Sequence, residues 1–222
     1  ALHAAVVACG VKPGEEVIVP PYTFTSTATC ALMHNAIPVF VDVKPDIFCL
    51  DPAKIEPAIT PRTRVTIPVH LFGHPADMDE IMKLAKAHNL YVIEDAAHAC
   101  GAEYKGKKAG ALGDLGCFSF HAVKNLATGD GGMLTTNDEA VYSGLLKSRW
   151  VGINADTHQR SAKGYSWYYE VESLGFKAHM NDINAAIGLV QLARLEETNG
   201  RRRQIVKIYN QEFSKLDWLE TP

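Results

Sequence analysis

The segment SFHAVKNLATGDGGM, residues 119–133, sets Lys124 five places after Ser119 and then runs into Gly129, Gly131 and Gly132. An amine between a strand-like run and a glycine-rich turn is either a solvated surface charge or a nucleophile held for covalent chemistry with a carbonyl. Upstream, LYVIEDAA (90–97) closes a nearly all-apolar run on Asp95, and His98 follows three residues on. An aspartate in that place caps the next turn. If it is buried, it must instead be solvated or paired with a cation, because an isolated buried charge is strongly disfavoured.

Taken together, a lysine and a carboxylate of this kind suit pyridoxal phosphate chemistry. That chemistry asks for a lysine to hold the aldehyde as an imine, an acid to keep the ring nitrogen protonated, and donors for a phosphate dianion. Lys124 and Asp95 fit the first two tasks. Ser119 offers a hydroxyl for the third, and the run Thr25, Ser26, Thr27 offers more at a predicted helix N-terminus.

The elements that must position these groups alternate along the chain. EVIVP (16–20), IPVFVDV (37–43), RVTIPVHLFG (64–73) and LYVIEDAA (90–97) read as strands. TSTATCALMHNA (25–36), DPAKIEPAI (51–59) and MDEIMKLAKAHN (78–89) read as helices between them. Continuous apolar, β-branched runs separated by helices predict an α/β fold with a mostly parallel sheet covered on both faces, a three-layer αβα arrangement. Ligands of such sheets bind beyond the carboxyl ends of the strands, where Asp95 stands.

Two short strands, GCFSFH (116–121) and GGMLTT (131–136), flank Lys124, and a helix is predicted near 138–148. Residues 151–181 have weak periodicity and many aromatics, including Trp167, Tyr168 and Tyr169, and read as a long excursion. Residues 182–213 keep apolar positions at Ile183, Ile187, Val190 and Leu195, which predicts one long helix. At the other end, ALHAAVVACG reads as an amphipathic helix closed by Gly10.

Composition narrows the function classes. The 222 residues are 47% hydrophobic and 21% charged, enough for one large domain or two small ones. A formal net charge of -3 with no long basic block gives no footprint for nucleic acid, and GRRRQ (200–204) reads as a solvated helix face. The five cysteines are scattered without a CxxC pair, which predicts neither a metal site nor a disulfide framework and fits the reduced thiols of a cytoplasmic protein. No apolar run approaches the roughly eighteen residues that a membrane helix needs.

Three stretches together carry a resemblance: GVKPGEEVIVPPYTFTSTA, VIEDAAHACGAEYKGKKAGALGDLGCFSFHAVKNLATGDGGM and HMNDINAAIGLVQLARL. They resemble the DegT/DnrJ/EryC1/StrS family of sugar aminotransferases, across essentially the whole chain. The resemblance implies an aspartate aminotransferase-like large domain of fold type I and pyridoxal 5'-phosphate as cofactor. It implies a homodimer that transfers an amino group, from glutamate, to a keto group of a nucleotide-linked deoxysugar. Lys124 matches the lysine that forms the Schiff base and later moves the proton, and Asp95 the acid paired with the ring nitrogen. His98 stands where the family carries Gln or His near the ring hydroxyl, Ser119 matches the phosphate-binding serine, and Phe24 matches the aromatic that lies over the ring. Thr25 follows Phe24 and is expected to face the cofactor too. Asn125 belongs to the motif without an assigned role.

The sugar 3-dehydratase branch has histidine in place of the Schiff-base lysine, so Lys124 points to transamination. Family members carry Ser-Gly-Thr just before the helix that opens here with ALH, and a smaller C-terminal domain after the long helix. Residues 1–181 are therefore expected to form a large domain incomplete at its N-terminus, and 182–222 a long helix leading toward a domain absent from this fragment, which need not be active alone. Lys177 fills a place where many members direct an asparagine at the partner's phosphate. Two alternatives stay open: another fold type I enzyme, a lyase or desulfurase, and a regulatory protein that binds the cofactor or a sugar nucleotide without turnover.

Overall fold

A computed structural model of the chain describes residues 1–154 and 168–221. Eight strands are present among them: β1 (Glu16–Val19), β2 (Ile37–Phe40), β3 (Thr63–Thr66), β4 (Tyr91–Asp95), β5 (Glu103–Tyr104), β6 (Lys107–Lys108), β7 (Leu115–Ser119) and β8 (Gly132–Thr136). The helices are α1 (Leu2–Ala8), α2 (Ser26–Leu32), α3 (Pro52–Ile55), α4 (Met78–His88), α5 (Glu139–Ser148), α6 (Asp182–Ala193) and α7 (Leu195–Phe213). Six strands form one sheet in the order β2-β1-β3-β4-β7-β8. All neighbours run parallel except β7 and β8, which pair antiparallel with Ser119 opposite Gly132.

The layering follows from the period of two along each strand. On β1, Val17 and Val19 pack into one core with α1, α2 and Leu145 of α5, while Ile18 between them packs into a second core with Ile55 of α3 and Ile81 of α4. On β4, Ile93 joins the first core and Val92 the second. All of these strand residues are fully buried, and each such side chain contributes about 1.5–3 kcal/mol by leaving water. The expected mostly parallel, three-layer α/β architecture is the one observed.

Local differences from the sequence reading have physical causes. The β5–β6 hairpin escapes the pattern because its strands are two residues long and, apart from the half-buried Tyr104, charged and exposed; Glu103 pairs with Lys108 across it. The helix expected over 182–213 is interrupted at Arg194, where ψ relaxes to -2°, and becomes α6 and α7. The strand expected over 64–73 ends early, at Thr66. Beyond it, only an isolated bridge from Val69 to Asp95 continues the pairing. Trp167 lies outside the described residues. Within the rest of the excursion, Trp150 bridges Lys177 and Ile153 bridges Val171.

Candidate active site

Asp95 is the last residue of β4, at the carboxyl edge of the sheet, and only 4% of it is exposed. Its backbone is fixed on both sides: its N–H donates to the Pro68 carbonyl at 2.9 Å, and its carbonyl accepts from His70 N–H at 3.1 Å. The carboxylate accepts from Thr27 Oγ1 at 2.8 Å and from Ala97 N–H at 3.2 Å. Thr23 Oγ1 stands 3.0 Å from Thr27 Oγ1 and extends the chain of hydroxyls. Thr27, expected among the phosphate donors, is thus turned to the aspartate instead. Among the described residues no cation pairs with Asp95 within ion-pair distance. A carboxylate accepts about four hydrogen bonds, so this one retains capacity for a further donor.

His98 follows in the loop after β4. Its ring is parallel to that of Phe72, with centroids 5.9 Å apart and planes 2° apart, and its Nδ1 accepts from Phe72 N–H at 3.3 Å. An accepting Nδ1 places the proton of the neutral ring on Nε2. Burial lowers the His98 pKa, Lys124 lowers it further, and Asp95 opposes both. The lysine cation and the aspartate anion are therefore both felt at one imidazole. Phe72 itself sits at φ 52°, in the left-handed region that bulky residues avoid. Such strain persists only where surrounding contacts hold it, commonly at functional sites. Neighbouring Gly73 is required by its φ of +89°, and a Cβ there would stand 3.2 Å from the His98 carbonyl oxygen.

Lys124 lies on the loop between β7 and β8. Phe120 N–H donates to Gly131 O at 2.9 Å, Thr128 N–H to Phe120 O at 2.9 Å, and Ala122 N–H to Gly129 O at 3.0 Å, so the loop is cross-braced at its neck. Lys124 N–H donates to His121 O at 2.9 Å and closes a tight turn at the tip. The lysine is half-buried, and among the described residues no carboxylate lies within ion-pair distance of its amine.

Ser119 and Asp95 both line a cleft of about 830 Å³ at this edge, together with Ala97, Ser26, Gly131 and Gly132. Ser119 Oγ accepts only a long contact from His121 N–H, at 3.4 Å. Lys124, His98, Phe24 and Thr25 are not among the residues that line the cleft. Phe24 is 74% exposed, and Thr25 is the N-cap residue of α2, without a side-chain capping bond. Lys177 Nζ sits 3.8 Å from the centroid of the Trp150 ring, so its charge is engaged there.

The sequence reading missed a buried group beside Asp95. Glu94, with no exposure, points to the opposite face of β4 and accepts from His70 Nε2 at 2.9 Å and from the N–H groups of Gly110, Leu112 and Gly113, each at 2.7 Å. His70 Nδ1 accepts from Ala76 N–H at 3.1 Å, which puts its proton on Nε2, toward the glutamate. Burial pushes the Glu94 carboxyl up, but the His70 and backbone hydrogen bonds outweigh it and hold the pKa below the usual range. The adjacency of Glu94 and Asp95 carried the signal: in a strand buried on both faces, successive carboxylates point into different layers.

The architecture is that of a large domain of a pyridoxal phosphate-dependent aminotransferase. The sequence pattern of the DegT/DnrJ/EryC1/StrS aminotransferase family matches residues 1–222, and the chain belongs to that family. It is 46% identical over 222 residues to the spore coat polysaccharide biosynthesis protein SpsC of Bacillus subtilis, covering 100% of this chain and 57% of SpsC. It is 46% identical over 216 residues to GDP-perosamine synthase of Caulobacter vibrioides, covering 97% of this chain and 56% of that protein. Among solved structures, S. venezuelae DesV, determined in complex with a ketimine intermediate, superposes with a TM-score of 0.88 at 38% identity, over 97% of this chain and 55% of that one. The chain thus spans little more than half the length of these relatives. Solved relatives hold the cofactor in pyridoxal and pyridoxamine forms. The residues present here fit such a group: a buried carboxylate with spare acceptor capacity and a serine hydroxyl with one weak contact share the cleft, and the loop that follows the serine carries a lysine with no ion-pair partner among the described residues.

Proposed function

We propose that the protein carrying this chain is a pyridoxal 5'-phosphate-dependent sugar aminotransferase that transfers an amino group, from glutamate, to a keto group of a nucleotide-linked deoxysugar. What supports the reading is the family match over the whole chain together with the buried Asp95 at the carboxyl end of β4, on a cleft that Ser119 also lines. Bound pyridoxal phosphate supplies an electron sink that makes the carbon bearing the amino group acidic. Lys124 would hold the cofactor through its Nζ amine and would serve as the base that moves the proton at the substrate carbon. Asp95, held in place by Thr27 and Ala97, would pair with the ring nitrogen and keep it protonated. His98 would donate from Nε2 to the ring hydroxyl, Ser119 would donate to the phosphate, and Phe24, with Thr25 beside it, would pack against the ring.

A cytoplasmic homodimer is the proposed form, in line with its family. The cysteines weigh against the desulfurase alternative, which needs a reactive thiolate. Burial pushes Cys9 and Cys30 up to about 12 and raises Cys49, Cys100 and Cys117 as well. The test is to add glutamate to the protein loaded with cofactor and follow conversion from the aldehyde to the amine form, then to add keto-sugar nucleotides and follow its reversal. Conversion and reversal support the aminotransferase; tight cofactor binding with no conversion by any amino donor makes the protein a binder.

A further inference from the structure

Asn125, next to the lysine, has no part in the chemistry above, yet its side-chain amide is anchored through its nitrogen, while its Oδ1 is buried without a partner among the described residues. Its Nδ2 donates to the Cys100 carbonyl at 2.7 Å and approaches Asn199 Oδ1 at 3.4 Å. Asn199, on α7, donates its own Nδ2 to the same carbonyl at 3.1 Å, and Arg202 donates to Asn199 Oδ1 at 3.3 Å. A carbonyl only accepts, so the shared partner sets the orientation of both amides. The turn is built to admit them: Gly101 adopts φ +86°, and a Cβ there would lie 2.9 Å from Asn199 Nδ2 and 3.3 Å from Leu195 Cδ2.

The helix is held at this point and little elsewhere. α7 is 19 residues long, and its buried residues are Leu195 and Asn199. Four apart, they share one face of the helix. Leu195 packs with Phe120 and Leu126 while Asn199 meets Asn125, so both bear on the loop that carries Lys124. The shared carbonyl of Cys100 brings in the turn that follows His98.

We propose that Asn125 and Asn199 are positioning residues. They clamp the Lys124 loop to α7 and to the turn after His98, and so set where the amine stands relative to Asp95 and His98. The inference rests on reading Lys124 as the residue that attaches the cofactor. It makes α7 the element whose displacement moves the lysine, because helix and loop share one polar pair and one apolar contact.

The experiment compares the protein with Asn125→Ala, Asn199→Ala, the double variant and, as a surface control on the same helix, Arg201→Ala. Three quantities are read: the dissociation constant of pyridoxal phosphate, the pH midpoint of the visible band, and hydrogen exchange of the cofactor-free protein. Each single variant is expected to weaken cofactor binding about five- to tenfold, the loss of one buried hydrogen-bonded pair. Each shifts the pH midpoint and speeds exchange at residues 98–101 and 120–128 while leaving β1 and β4 protected. The double variant is no weaker than the worse single, because the two amides act as one unit, and Arg201→Ala matches the unmodified protein. If Asn199→Ala does not fold, Asn125→Ser carries the same comparison. Unchanged midpoints, additive losses or exchange raised evenly across the sheet would overturn the positioning role. Absence of any visible band in the unmodified protein overturns the reading of Lys124 instead, and local exchange alone then decides whether the clamp holds the loop.

Discussion

His98 shows how much of the site is set by single residues. Burial and the Lys124 charge hold its pKa below the ordinary 6.5, against the opposing pull of Asp95. The unfolded chain therefore binds more protons than the folded one in the window below pH 6.5. The stability linked to this group is fully present above that pH and is lost as pH falls toward the folded value. His3 and His179 are shifted the same way, each first by burial. Urea unfolding between about pH 5 and 7 is expected to show stability rising with pH, with a shallower slope in His98→Gln; equal slopes in the two proteins would contradict the assignment. Asp95 and Lys124 were legible as candidates because each ends or follows an apolar run. The roles of Thr27 and Phe72 were not, since a hydroxyl aimed across 68 residues and a strained φ leave no local pattern.

At the scale of elements, the end of β4 is braced from behind by Glu94. This one carboxylate satisfies His70 on the segment after β3 and three N–H groups of the 110–113 turn that leads into β7. Glu94→Ala removes the partner of four donors, His70 Nε2 and Gly110 N–H in buried surroundings and Leu112 and Gly113 N–H half-buried, at a cost of about 3–5 kcal/mol. Urea unfolding reads that loss directly, and a cost below about 1 kcal/mol would show that water or rearrangement replaces the brace. The strands of the sheet were readable because their apolar runs are continuous, as in Val17–Val19 and Val92–Ile93. The break at Arg194 was hidden because apolar positions on its two sides keep helical spacing, and only the descent of Leu195 and Asn199 onto the lysine loop requires it. The Glu94–His70 pair was hidden for another reason: the register that brings β3 beside β4 is a tertiary fact.

Across the whole molecule, polarity is uneven. The two cores flanking the sheet are closed, but α6 has no buried residue and leaves Ile183, Leu189, Val190 and Leu192 largely exposed. Apolar residues exposed all round a helix mark an element that other surfaces meet. The 222-residue chain is expected to bind the dye ANS, and Ile183→Asp combined with Leu189→Asp to reduce that fluorescence by about half; an unchanged signal would place the dye elsewhere. Among the described residues no helix is long and apolar enough to cross a membrane. Lys124 is the proposed point of cofactor attachment. The most direct measurement mixes the protein, and a Lys124→Ala variant, with pyridoxal phosphate, records the visible spectrum, reduces with borohydride and maps the labelled peptide. Attachment at Lys124 predicts a band near the visible edge that the variant lacks and a label on Lys124 alone. A label spread over other lysines, or an equal band in Lys124→Ala, would contradict it.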